Sequence, residues 1–438
     1  MMKEVEEIEP VDKSMTEEYR YGLPREEPET VGMSAKRLTR IKPAMQSFID
    51  ADKVPGLLTV IARHGKVVHF ETQGYADTKP PKPLKADTIF RLYSQTKPIT
   101  GVAVMIAYEQ GHFLLNDPVA KYLPEFREMK VYTDSGLIDA KGPITIRQLL
   151  THTSGLDYGW YPDDPVASLY REAGLEDANA RLSLSTEDYV KKLAALPLFA
   201  QPGTQWRYSD AMAVLGRLVE VVSGKTYRGF LKEQLFSPLD MIDTDFFVPV
   251  EKLHRLAQLY EVGPEGGLVA IDACTNVMHD KHTVSYSNYG KQPSFESGGA
   301  GLVGSATDYL RFAQMLLNGG ELDDVRILSP TSVNLILSNH LGLELGETPL
   351  ASLGQYVPDF NRKGLGFGFC GYVVTDAIAS GTAGSEGEYA WGGAASTRFW
   401  LDPKQHLIGM VLTQLVPDGT YPIFERLHQM TYQAIIGN

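Results

Sequence analysis

Residues 90–100 read Phe90-Arg91-Leu92-Tyr93-Ser94-Gln95-Thr96-Lys97-Pro98-Ile99-Thr100, and this stretch marks a change of pattern. Upstream lies GLLTVIARHGKVVHFETQGYAD (56–77). There two β-branched runs flank Arg63-His64-Gly65-Lys66, which predicts a hairpin with Gly65 in its turn. Downstream, KPITGVAVMIAYEQG (97–111) has the content of an apolar helix capped at Gly111. Ser94-Gln95-Thr96-Lys97 therefore sits between strands and a helix. If a helix opens here, residues i and i+3 share a face and the lysine amine reaches the serine hydroxyl. A serine hydroxyl is a poor nucleophile until a base takes its proton. A buried lysine, its charge disfavoured, is such a base. At a helix start, Ser94 would also meet outward-pointing backbone N–H groups that favour negative charge. The spacing alone is weak, because a chain this long shows on the order of one or two by chance.

Outward from that point, SAKRLTRIKPAMQSFIDAD (34–52) has helical spacing behind Ser34 as N-cap, with Pro43 marking a kink or a late start. From about 100 to 330 the chain reads as helix and loop: TIRQLLTHTSGL, SLSTEDYVKKLAAL, AMAVLGRLVEVVSG and SATDYLRFAQMLLNGG. Strand patterns return in GFGFCGYVVTD, YAWGGAASTRFWLD and HLIGMVLTQLVP, with Asp402-Pro403-Lys404-Gln405 as a tight turn, and YPIFERLHQMTYQAIIG closes the chain as a helix. Short connections imply antiparallel neighbours. The expected fold is α+β, an α/β sandwich. One antiparallel sheet is built from both chain ends (31–99 and 331–438) and flanked by helices, and residues 100–330 form a mostly helical second domain. Residues 1–30 form a charged extension. A cleft between two such domains is a usual place for a ligand.

Composition bounds the function. A net charge of −13 argues against nucleic acid or an anionic membrane as partner, since both need basic patches. No apolar run approaches the roughly 18 residues of a membrane span. The acidic opening MMKEVEEIEP is not a secretory signal, so a cytoplasmic protein is expected. Two cysteines, Cys274 and Cys370, make neither a disulfide framework nor a zinc site.

Two further motifs stand in order behind the tetrad. Tyr208-Ser209-Asp210 precedes the helix AMAVLGRLVEVVSG. Tyr208 could relay a proton to a leaving group as phenolate or as phenol, or could simply pack under a loop while Asp210 caps the helix. Trp391-Gly392-Gly393-Ala394 lies on a predicted strand, where two glycines need a reason. The reason is either a ligand at the strand edge, with the following N–H completing an oxyanion hole, or a bulge under the core. His152 invites a Ser–His reading, but its segment reads as a helix end and turn, which favours a buried structural histidine. There is no Gly-x-Ser-x-Gly elbow, Gly-rich phosphate loop or His-Glu-x-x-His.

Taken together, the ordered motifs, with FRLYSQTKPIT, ITIRQLLTHTSGL, PGTQWRYSD and WGGAASTRFWLDP, resemble the serine β-lactamase and penicillin-binding-protein superfamily over roughly residues 30 to 435. The resemblance is to the class C-like branch, and there to the family VIII carboxylesterases and related transesterases. It implies Ser94 as nucleophile, Lys97 as base and Tyr208 as proton shuttle, with the N–H groups of Ser94 and Ala394 as oxyanion hole. Trp391, Gly392, Gly393, Tyr158, Trp160 and Asp210 would line the substrate site, with no metal and no cofactor. Where the class C enzymes carry Lys-Thr-Gly, this chain carries Trp391-Gly392-Gly393. The loss of that cation favours neutral esters with short acyl chains over penicillins. Asp210 stands where Asn is usual; it would raise the lysine pKa or turn away as a cap. The expectation is a carboxylesterase acting on small-molecule esters, as monomer or homodimer. A true β-lactamase or D-alanyl peptidase is the first alternative and a non-catalytic structural relative the second.

Overall fold

The computed structural model describes residues 21–161, 163–175, 183–271, 276–279, 282–285, 289–342, 345–346, 348–354, 360 and 363–437. Cys274 and most of the expected N-terminal extension fall outside them. Residues 21–34 run as a strap along the sheet. The Val67 N–H donates to Pro24 O at 2.8 Å and the Glu26 N–H donates back to Val67 O at 3.1 Å. Ser34 caps α1 (Ala35–Leu38) by accepting from the Arg37 N–H. A break at Thr39–Arg40 separates it from α2 (Ile41–Asp50). The late start is therefore the right reading of Pro43. It stands in the first turn of α2, where a missing N–H costs nothing.

The first hairpin forms as expected from β1 (Gly56–Arg63) and β2 (Lys66–Thr78), and β3 (Pro81–Pro83) follows it. His64 and Gly65 both take positive φ, 51° and 74°, as a two-residue turn of matching twist requires. Next come β4 (Ile89–Arg91) and α3 (Thr96–Glu109), which Gly111 terminates at φ 80°. The middle of the chain supplies α4 (Ile146–Leu150), α5 (Thr186–Ala194), α6 (Ala211–Ser223), β5 (Val303–Ser305) and α7 (Ala306–Leu317). It also holds hairpins that the sequence pattern did not suggest, Lys130–Thr133 with Gly136–Asp139 and Tyr260–Val262 with Leu268–Ala270. The last part supplies β6 (Leu365–Phe367), β7 (Tyr372–Val374), β8 (Tyr389–Gly393), β9 (Thr397–Asp402), β10 (Leu407–Leu412) and α8 (Ile423–Gln433).

The main sheet has the order β6-β7-β8-β9-β10-β1-β2-β3 and is antiparallel throughout. Its two halves meet where β1 pairs β10, with Leu58 opposite Leu412 and Ala62 opposite Ile408. Successive residues of β9 point to opposite faces, and each meets a different helix. Phe399 packs against Tyr309 of α7, with ring centroids 4.9 Å apart, and Trp400 against Phe424 of α8 at 5.4 Å. Helices thus cover both faces of the sheet, as an α/β sandwich requires. The helix α7, which lies in the stretch expected to be the helical domain, is therefore a layer on the sheet. In the helical part α6 is the hub, packed by α3, α4 and α5. Among the described residues, no helix is long and apolar enough to cross a membrane.

Candidate active site

Ser94 does not open the α-helix itself. It lies in a 3-10 turn, Tyr93–Gln95, and the α-helix begins at Thr96. The correction helps the chemistry, because side chains three apart are eclipsed in a 3-10 turn. Lys97 Nζ stands 3.2 Å from Ser94 Oγ. Tyr93 enters the turn at φ 44°, in the left-handed region that an aromatic residue seldom adopts. From Arg91 to Thr100 every residue is buried except Ser94, which is half-exposed. The turn hides its neighbours and presents one hydroxyl.

Lys97 is fully buried at 1% exposure and donates to the Gly299 carbonyl at 2.8 Å. Its Nζ also sits 4.5 Å from the centre of the Tyr208 ring. Burial pulls the ammonium down to about 7, against opposing pulls from Asp210 and Cys370. A neutral amine can give one proton to Gly299 and still turn its lone pair to Ser94. Sequence reading missed Gly299; the signal was the Gly298-Gly299 pair. A Cβ on Gly298 would lie 2.6 Å from Met212 O, and one on Gly299 3.3 Å from Tyr158 Oη. Thr100 anchors the same segment by donating to Gly298 O at 2.6 Å.

The structure brings Tyr208, Trp391, Tyr158 and Trp160 together around the amine. Ring centroids lie 5.5 Å apart for Tyr208–Trp391, 5.4 Å for Tyr158–Tyr208 and 6.0 Å for Trp160–Tyr208. Burial pushes the Tyr208 phenol well above its ordinary value, only partly offset by hydrogen bonding with Ser94 and by the nearby Trp391. Between the two forms that sequence left open, the neutral phenol is favoured. Trp391 is itself buried, packed by Phe360 and Phe367 at 5.4 Å each. Its indole N–H has no hydrogen-bond partner at bonding distance among the described residues.

The two glycines of β8 have a reason that sequence did not supply. A Cβ on Gly393 would sit 2.1 Å from Leu92 O, and one on Gly392 2.8 Å from Arg398 Cγ and 2.9 Å from Thr397 O. At Gly393 what approaches closely is the protein's own backbone, two residues before Ser94. Ala394, half-buried in the turn after β8, packs into the same small apolar cluster as Tyr93. The third motif is thereby pressed against the nucleophile turn.

Asp210 occupies the N-cap position of α6, but its side chain makes no capping bond. Its carboxylate accepts from Tyr189 Oη at 2.6 Å, and burial raises it to about 6. His152 is fully buried. The Ser209 N–H donates to its Nδ1 at 3.3 Å, so the ring proton is on Nε2. Burial and the Lys97 charge keep the ring neutral, which suits a structural residue. The Tyr158–Trp160 loop is clasped by Arg207, whose Nε donates to Asp157 at 2.8 Å and Nη2 to Asp164 at 2.7 Å.

The chain and its fold are similar to those of known proteins. The chain is 30% identical over 392 residues to the esterase EstB of Burkholderia gladioli, covering 88% of this chain and 92% of that one. It is 27% identical over 386 residues to a lovastatin esterase of Penicillium rubens, covering 85% and 91%. The structure of EstCE1, described as a hydrolase with promiscuous acyltransferase activity, superposes with a TM-score of 0.77 at 29% identity, covering 92% of this chain and 98% of that one. The profile of the β-lactamase family matches residues 41–428, and the chain belongs to that family.

Proposed function

We propose that this protein is a serine carboxylesterase that works through an acyl-Ser94 intermediate. One observation carries the reading: a single half-exposed hydroxyl, Ser94, stands 3.2 Å from a fully buried lysine amine. Ser94 Oγ attacks the ester carbonyl carbon while its proton passes to Lys97 Nζ. The carbonyl electron pair moves to oxygen, which the Ser94 and Ala394 N–H groups receive. Collapse expels the alkoxide, protonated through the Tyr208 phenol. Water then repeats the sequence on the acyl-enzyme. An alcohol in place of water gives acyl transfer, the promiscuous activity of EstCE1. Trp391, a buried indole among aromatic rings, replaces the cation that an anionic substrate would need. This supports small neutral esters over penicillins.

The test is intact-protein mass spectrometry after a pulse of p-nitrophenyl butyrate, with peptide mapping. A butyryl gain on Ser94, absent from Ser94→Ala, is expected. Equal labelling of the Ser94→Ala protein, or none in either, would sink the reading in favour of a structural relative. Turnover of nitrocefin far above that of p-nitrophenyl butyrate would instead favour a true β-lactamase.

A further inference from the structure

The turn between β8 and β9 is held in a strained backbone state from outside its hairpin. It runs Gly393-Ala394-Ala395-Ser396, and the Ser396 N–H closes it on Gly393 O at 3.0 Å. Ser396 takes φ 59°, in the left-handed region that favours glycine and that a serine seldom adopts. A residue in that region persists only where its surroundings over-determine it. Here Leu415 does so. Ser396 Oγ donates to Leu415 O at 2.8 Å, and the Leu415 N–H donates to Ala395 O at 3.2 Å. Leu415 is fixed in its own right. Leu415–Val416 pairs in parallel with Tyr260–Glu261. Just beyond, Asp418 accepts from Arg398 of β9, at 3.0 Å from Nε and 2.9 Å from Nη2. Ala394 sits inside the turn and outside the β8–β9 ladder. Among the described residues its N–H meets no backbone acceptor.

We propose that Ser396 is a positioning residue for the oxyanion hole: its hydroxyl, tied to the Leu415 carbonyl, fixes the turn so that the Ala394 N–H faces the charge that develops beside Ser94. The inference rests on the esterase reading above, in which that N–H is the second oxyanion donor. On one side of Ala394 the backbone is set by Gly393, pressed against the Leu92 carbonyl. On the other side it is set by Ser396. Ala394 and Ala395 carry only methyl groups, so Ser396 has the one side chain in the turn that can make a hydrogen bond. Ala394 and Ala395 pack with Tyr93 and Val416 in one small apolar cluster, which places the tether, the turn and the nucleophile turn side by side. A peptide N–H stabilises a growing anion best when it needs no reorganisation as the charge appears. A turn free to rock about Gly393 would lose that advantage, although its substrate would still bind.

The experiment compares the wild type with Ser396→Gly and Ser396→Ala. Glycine accepts the left-handed backbone without strain, so by backbone preference alone Ser396→Gly should be as stable as wild type or more so. Two quantities are read for each protein: kcat/KM on p-nitrophenyl butyrate per acylable Ser94, and the Ki of butylboronic acid. In the boronate adduct Ser94 Oγ bonds to boron and its proton passes to Lys97. Boron gains the electron pair and becomes anionic, with one of its oxygens where the substrate oxyanion would stand. Loss of the tether should lower kcat/KM by roughly five- to twentyfold, less than removal of a whole oxyanion donor, and raise the Ki by a similar factor. A merely structural role would change the melting temperature and the acylable fraction, and leave both quantities per active site unmoved. Ser396→Ala carries the test if the glycine protein does not fold. Wild-type values in the folded variant overturn the proposal, as does a fall in kcat/KM with an unmoved Ki. Butyryl labelling of wild-type Ser94 separates the two readings: labelling with unmoved constants removes the role of Ser396 alone, whereas absent labelling overturns both.

Discussion

Lys97 is an ordinary cation by composition, and its burial is what suits it to the proposed role of base. With the amine pulled to about 7, only its deprotonated form can take the Ser94 proton. The expected outcome is a kcat/KM that rises with pH through about 7 on a single-proton limb, lost with the activity in Lys97→Met. A limb near 4 or above 9 would show that another group is titrating. Tyr208 stays a neutral phenol, so its proposed contribution is a proton for the leaving group. Tyr208→Phe should cost on the order of 10²–10³-fold in kcat on alkyl esters. On p-nitrophenyl esters, whose leaving group needs no proton, the loss should be clearly smaller. Equal losses on both, read by steady-state kinetics, would contradict that role.

The element that matters most is the strand β8 against the 3-10 turn. The turn is held by the Gln95 N–H to Leu92 O at 3.0 Å and by Thr397 Oγ1 donating to the same carbonyl at 3.3 Å. Leu92 also donates to Leu302 O at 3.0 Å, and β4 pairs β5 beside it. A methyl at Gly393 would meet the Leu92 carbonyl, backbone that cannot rotate away. Gly393→Ala should therefore cost about 3 kcal/mol or more, read by denaturant unfolding. It should also lower kcat in the fraction that folds, because relief requires the Ser94 turn to shift. A variant with wild-type stability and turnover would contradict this packing.

At the scale of the whole molecule, the site is built at the expense of stability. Lys97 lies inside a continuous core that joins sheet and helices. Its ordinary value of 10.5 falls to about 7 in the folded chain. Between those values the unfolded chain binds the proton and the folded chain does not, so stability rises with pH across that window. Below about 7 both states are protonated and the full cost of the buried charge remains. Lys97→Met should therefore be more stable than wild type at pH 7, on the order of 3 kcal/mol. The advantage should fade as pH approaches 10.5. Thermal melts of both proteins at pH 7 and pH 10 check the sign, and a variant less stable than wild type at pH 7 would refute it.

Much of this was legible from the chain alone, because it depends on local chemistry. The hairpin turn at His64-Gly65, the N-cap at Ser34, the strand patterns of the C-terminal part and the order of Ser94–Lys97, Tyr208 and Trp391–Gly393 are properties of neighbouring residues or of ordered motifs. Residue types and spacing were enough to nominate the groups proposed to react. What they could not supply was distance between segments far apart in sequence. That Gly393 yields to the Leu92 carbonyl, that Gly299 receives the Lys97 amine, that Asp210 looks to Tyr189 instead of capping α6, and that α7 lies on the sheet were all decided by tertiary packing. The same packing sets the state of the amine. An amine is a cation in any unfolded chain, and only its enclosure among apolar groups brings it near neutrality beside Ser94.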